Sequence, residues 1–80
     1  MNIYVGNLSY NVSEENLRQA FGAFGQVSSA TIVKDKYSGQ PRGFGFVEMP
    51  DQAEAQAAIK NLNKKNLYGQ QMIVYESSEN

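Results

Sequence analysis

Between residues 42 and 49 the chain reads Arg-Gly-Phe-Gly-Phe-Val-Glu-Met. Side chains of an extended strand alternate between two faces, so Arg42, Phe44, Phe46 and Glu48 share one side and Gly43, Gly45, Val47 and Met49 the other. A half-buried strand normally hides its large apolar residues and shows polar ones. Here two aromatic rings stand on the same side as two charges. Rings displayed in that way can stack on other flat unsaturated rings, and a guanidinium beside them can pair with an anion. Unpaired nucleobases strung on phosphates offer both partners, and stacking contributes about 1–3 kcal/mol per base. Tyr4, in the segment Ile3-Tyr4-Val5-Gly6-Asn7-Leu8, and Tyr75, near the other end, carry the same kind of ring.

Catalytic and metal chemistry has little to draw on. The 80 residues include no histidine and no cysteine, which removes thiolate nucleophiles, disulfides and the usual transition-metal ligands. Glu14 and Glu15 are neighbours that diverge on a helix, where they suit the positive N-terminal end rather than acid–base work. Gly39, Gly43 and Gly45 do not lie in the strand–loop–helix setting of a phosphate-cradling loop. The expectation is therefore no catalytic residue, no metal and no cofactor. A net charge of −1 gives no strong overall field toward polyanions. The basic residues are nonetheless grouped, with Lys34, Lys36 and Arg42 around one segment and Lys60, Lys64 and Lys65 around another. No apolar run approaches the roughly 18 residues of a membrane helix, and the start has neither a basic flank nor a signal-peptide core. A soluble cytoplasmic protein, not associated with membrane, is expected.

The elements that would position these rings follow in order. Residues 3–8 read as a strand, with Ile3 and Val5 on one face and Tyr4 on the other. Ser13 caps a helix running to about residue 23, with Val12 and Leu17 as a hydrophobic staple and Gly25 as its stop. Leu17, Ala20, Phe21 and Phe24 form its apolar stripe. Residues 27–34 make a second strand, and 35–41 a turn-rich connection to a third over 42–49. Asp51 caps a second helix, with Glu54 at the capping-box position and a stripe of Ala55, Ala58, Ile59 and Leu62. The segment 61–66 is polar, and a last strand spans 71–76 with Met72 and Val74 opposite Ile73 and Tyr75. Residues 1–77 form one domain and 78–80 a short polar tail.

Strand, helix, strand, strand, helix, strand is the α+β, ferredoxin-like βαββαβ plan, a sandwich of a four-stranded antiparallel sheet with two helices on one face. Two helices cover one face only. The glycine side of the third strand is expected to lie under them, since glycine permits close approach. The uncovered face then carries Tyr4, Phe44, Phe46 and Tyr75, together with Thr31, Val33, Ile73 and Glu48.

These residues resemble the RNA recognition motif family, whose octapeptide pattern is basic, Gly, aromatic, small, Phe, Val, any, aromatic. Arg42 to Val47 fit it; Met49 departs from it, at a position facing the core. Residues 3–8 match the family's hexapeptide, with Tyr4 at the aromatic position. The chain is most similar to small single-motif RNA-binding proteins of bacteria, themselves like the corresponding domain of plant glycine-rich RNA-binding proteins, without the glycine-rich tail. The resemblance implies non-catalytic binding of single-stranded RNA, in RNA metabolism or RNA chaperoning, and of single-stranded DNA more weakly; a monomer is expected because no second apolar face remains once the helices and the RNA surface are used. It implies that Tyr4 stacks under one base and Phe46 under the next, that Phe44 packs against the sugars between them, and that Arg42 pairs with a phosphate. Face parity adds Tyr75 for a base, and proximity to the loop adds Lys34 and Lys36 for phosphate. The family also has a glycine after the Asn that follows the second helix; here Asn63 is followed by Lys64, so a left-handed residue is expected at one of the two. Two other function classes remain open on this plan: a peptide-binding module, whose members tend to lose the exposed aromatics, and a small-ligand or catalytic domain.

Overall fold

The computed structural model describes residues 1–77; the expected tail at 78–80 lies outside the described residues. The elements are β1 (Asn2–Gly6), α1 (Glu14–Gly22), β2 (Ser29–Lys34), β3 (Pro41–Glu48), α2 (Gln52–Leu62), β4 (Asn66–Leu67), β5 (Gln70–Gln71) and β6 (Ile73–Glu76). β1, β2, β3 and β6 form the antiparallel sheet in the order β2-β3-β1-β6. Its register aligns Thr31, Phe46, Tyr4 and Tyr75 in one row across all four strands.

Both helices begin as their caps dictate. Ser13 Oγ accepts from the Asn16 N–H at 3.1 Å and Asn16 Oδ1 accepts from the Ser13 N–H at 2.8 Å, a reciprocal capping box with Asn as the returning residue. The staple residues Val12 and Leu17 are both buried. Asp51 Oδ1 accepts from the Glu54 N–H at 2.9 Å. Glu54 does not complete a box. Its carboxylate crosses to the loop before β2 and accepts from the Gln26 N–H at 3.1 Å. Gly25 is not the helix stop either: α1 ends with Ala23 at a right-handed C-cap, and a Cβ at Gly25 would collide with that Glu54 carboxylate.

α1 packs on β2 and β3, and α2 against β6. The core between layers contains Ile3, Val5, Leu17, Phe21, Val47, Met49, Ala55, Ala58, Leu62 and Val74, with Phe24 and Ile59 partly buried beside it. A fully buried side chain such as Phe21 contributes about 1.5–3 kcal/mol. Met49 is fully buried, so the motif position without an aromatic is a packing position.

The glycines of β3 lie where they do for a different reason from the expected one. Gly45 is buried, but a Cβ there would meet the carbonyl oxygen of Thr31 and the Cα of Ile32, which are backbone of β2 and not helix. Gly45 pairs with Ile32, and the register between β2 and β3 shifts just beyond, between Ile32 and Lys34. Gly43 has φ +86°, a left-handed conformation that favours glycine, and its carbonyl accepts from the Leu8 N–H at 2.8 Å.

A second difference lies after α2. The segment expected to lead straight into the last strand forms a small hairpin of β4 and β5, turning through Tyr68 (φ 52°) and Gly69 (φ 86°), the two left-handed residues a tight hairpin turn requires. The other left-handed residue is Lys64 (φ 71°) rather than Asn63. Asn63 stays extended because its side chain is in use: Oδ1 accepts from the Val74 N–H at 2.9 Å. β6 is an outer strand, so this oxygen satisfies a donor on the sheet's edge. Glu14 does the same at the opposite edge, where Oε2 accepts from the Ile32 N–H of β2 at 3.0 Å. We expect Asn63→Ala to cost about 1 kcal/mol of unfolding free energy, the net value of one hydrogen bond. Urea denaturation measures it, and an unchanged midpoint would contradict the assignment.

Candidate nucleic-acid interface

The face without helices holds four aromatic rings that touch one another. Tyr4 on β1 is the centre. Its ring centroid lies 5.9 Å from Phe44 at an interplanar angle of 25°, 5.9 Å from Phe46 at 71°, and 4.7 Å from Tyr75 at 23°. Phe44 and Phe46 meet edge to face, at 6.2 Å and 87°. These separations are typical of favourable aromatic pairs. Two rings 4.7 Å apart and nearly parallel are too close to lie edge to edge, so Tyr75 stacks over part of Tyr4.

Gly6 sets the lie of the Tyr4 ring. The two residues share a face of β1, and a Cβ on Gly6 would come within 2.6 Å of the Tyr4 hydroxyl. The ring therefore lies along the strand over a residue without a side chain. Phe46 is 37% exposed and Tyr75 51%, with Tyr4 and Phe44 half-buried. Ile73, 49% exposed, extends the apolar surface. Thr31 and Glu48 are also exposed, and Val33 is half-buried.

Arg42 is exposed at the start of β3 and lines a pocket with Tyr4 and Phe44, which puts it beside the rings. Lys34 does not join them. It has the parity of Ile32 and lines a separate pocket on the α1 side with Val12, Glu14, Glu15 and Pro41. Two carboxylates share its surroundings, and it does not line the pocket beside Arg42.

The loop between β2 and β3 is held by its own bonds. Asp35 Oδ1 accepts from the N–H groups of Tyr37 (2.8 Å) and Ser38 (3.0 Å). The Asp35 N–H donates to the Gln40 carbonyl, and Gly39 N–H to the Asp35 carbonyl, each at 2.8 Å. At the tip the Lys36 ammonium sits 5.3 Å from the centroid of the Tyr37 ring, which is 89% exposed. The Ser38 and Tyr37 N–H donors, with a smaller contribution from the charge of Arg42, hold the Asp35 carboxyl below the usual carboxylate range. A depressed acid supports the folded loop above its unfolded value of 3.8 and loses that support as pH falls through the lower folded value. The loop is thus expected to keep its form at neutral pH and to loosen only below the ordinary aspartate value. Amide shifts of Tyr37 and Ser38 followed by NMR from pH 6 downward test this; a transition at or above the ordinary aspartate value contradicts it.

Gly6, Asn7, Tyr10 and Gln70 belong to this surface and were not legible as site residues. Tyr10 and Gln70 line the pocket with Arg42, but nothing in a loop residue or a two-residue strand announces which face it meets. Among the described residues no group of acidic side chains could hold a metal ion, and no helix is long and apolar enough to cross a membrane.

Residues 3–73 match the RNA recognition motif family. The chain is 46% identical over 74 residues to the putative RNA-binding protein RbpA of Nostoc sp., covering 92% of this chain and 72% of that protein. It is 46% identical over 72 residues to glycine-rich RNA-binding protein 1 of Mycosarcoma maydis, covering 90% of this chain. It spans only 41% of the length of that relative. Among solved structures, the crystal structure of RNA-binding protein PG1 superposes with a TM-score of 0.96 at 46% identity, covering 100% of this chain and 96% of that one.

Proposed function

The chain belongs to the RNA recognition motif family, and from that premise we propose that it binds single-stranded RNA on the open sheet face without catalysing a reaction on it. The observation that carries the reading is the ring cluster: four touching aromatics on the one face that no helix covers. Tyr4 and Phe46 supply stacking surfaces for successive bases, with Phe44 against the sugars between them. Tyr75 is stacked on Tyr4 and enlarges that surface. Arg42, exposed at the platform's end, takes a phosphate. RNA readout of this type targets single strands because their bases can be splayed onto rings. Single-stranded DNA is bound more weakly, for want of 2′-hydroxyl contacts. The same reading takes the protein as a monomer working in the cytoplasm, in RNA metabolism or chaperoning.

A peptide-binding role on the same plan predicts a different footprint. Adding a short single-stranded RNA to labelled protein is expected to shift the amides of residues 4, 44, 46 and 75; shifts confined to α1 and α2, or none, would sink the RNA reading. Stacking rather than charge should dominate. With two phosphate contacts, from Arg42 and Lys36 of the β2–β3 loop, the slope of log affinity against log salt is expected near about −1.4. A slope beyond about −3 would mean that the basic residues of another face are engaged.

A further inference from the structure

After β1, Asn7 takes a left-handed conformation, φ 55°, and the chain turns toward α1 past Ser9 and Tyr10. The β4–β5 hairpin comes back against this loop, and two side-chain amides clip them together. Asn7 Nδ2 donates to the Gln71 carbonyl at 2.7 Å, and Gln70 Nε2 donates to the Asn7 carbonyl at 3.1 Å. Between them lies a pocket of about 560 Å³ that opens onto the platform at Tyr4 and Phe44 and is rimmed by Tyr10 and Arg42. The volume falls within the range of small-ligand sites, roughly 300–1,000 Å³. Tyr10 is 69% exposed, so one ring is available here beyond the four of the sheet.

The clip decides what the pocket can read. A backbone carbonyl only accepts, so the atom facing it in each amide must be the nitrogen. Each nitrogen spends one of its two N–H bonds on the clip, and the amide orientation is fixed by chemistry. Asn7 Oδ1 and Gln70 Oε1 accept no hydrogen bond among the described residues. Two residues lining one pocket thus each hold an unused acceptor. Adenine, cytosine and guanine carry an exocyclic amino group that donates to such an oxygen. Uracil offers only its ring N–H as a donor, set between two carbonyl oxygens, and a purine without the amino group offers no donor on that edge.

We propose that this pocket is a further nucleotide subsite of the RNA surface, taking a base with an exocyclic amino group, which donates to the amide oxygens of Asn7 and Gln70 while Tyr10 offers a stacking face and Arg42 a charge for the adjoining phosphate. The proposal rests on the RNA reading above and adds to it a base preference, which stacking alone does not provide. Asn7 and Gln70 are then specificity-determining residues, and the platform supplies affinity common to all bases.

The test uses the full chain and three RNA hexamers: oligoadenylate, oligouridylate, and a hexamer of purine riboside, which keeps the purine ring and lacks the amino group. Wild type is expected to bind oligoadenylate about three- to tenfold tighter than the purine-riboside hexamer, the span of one net hydrogen bond. The double variant Asn7→Gly, Gln70→Ala keeps a residue tolerant of the left-handed φ and is expected to bind the two purine hexamers equally. Equal binding of both by wild type overturns the proposal without requiring any variant to fold. So does a gap that survives in the double variant. Phe46→Ala separates the two readings: it should weaken all three hexamers alike if the platform reading holds, whatever happens to the amino-group gap. If Phe46→Ala changes nothing, the platform reading fails and the gap alone decides the subsite. No binding of any hexamer overturns both.

Discussion

Phe46→Ala is expected to weaken binding of short single-stranded RNA by about 1–3 kcal/mol, roughly five- to 150-fold, the contribution of one base stacked on one ring. The fold should tolerate it. The ring is 37% exposed and meets its neighbours at its edges, Tyr4 at 71° and Phe44 at 87°. Nothing in the core between sheet and helices leans on it, so unfolding free energy should fall by no more than about 1 kcal/mol. Tyr4→Ala is a harsher change, because Tyr4 contacts all three other rings and its loss loosens the whole cluster. Titration beside urea denaturation separates lost contact from lost structure. A folded Phe46→Ala protein that binds RNA as wild type does would remove the basis of the stacking mechanism.

Gly45→Ala is expected to destabilise the domain by about 1–3 kcal/mol or more, although the substitution adds a single methyl group. The new Cβ would meet the Thr31 carbonyl oxygen and lie 3.2 Å from the Ile32 Cα. Both belong to backbone, so no side chain can rotate away; β2 must move off β3 or β3 must twist. Against a total of roughly 5–15 kcal/mol for a domain this is a substantial fraction. Gly22→Ala is the matched control. It lies at the end of α1 with nothing within 4 Å of its Cβ position, and alanine is the better helix former by about 0.5–1 kcal/mol. The two variants should therefore move the urea midpoint in opposite directions. A Gly45→Ala protein as stable as wild type would show that the strands are not in close contact there.

Much of this was legible because strand parity and helix period are local. Alternation alone put Arg42, Phe44 and Phe46 on one side of β3, and the open face follows from there being two helices for four strands. Ser13 and Asp51 declared themselves as caps by type and position. What could not be read depends on what each residue meets across the fold. Gly45 is small because of a neighbouring strand, which no pattern within β3 reveals. Glu14, Glu54 and Asn63 look like residues serving their own helix ends, yet each extends an oxygen to a backbone N–H in another element. The β4–β5 hairpin has two residues per strand, too few to show a period, and it turns on Tyr68 where asparagine or aspartate is the usual signal. Lys34 was grouped with Arg42 by nearness in sequence, whereas the parity of β2 carries it to the side of α1.

The oxygens of Glu14 and Asn63, one at each outer strand, have a consequence for how many copies can share one RNA. Each occupies a donor that an incoming strand from another molecule would need. Each edge thus offers a neighbouring copy on a long transcript one backbone donor fewer for building a ladder. Loading along a homopolymer is then expected to show no strand-mediated cooperativity between neighbours, with a saturation density set by footprint.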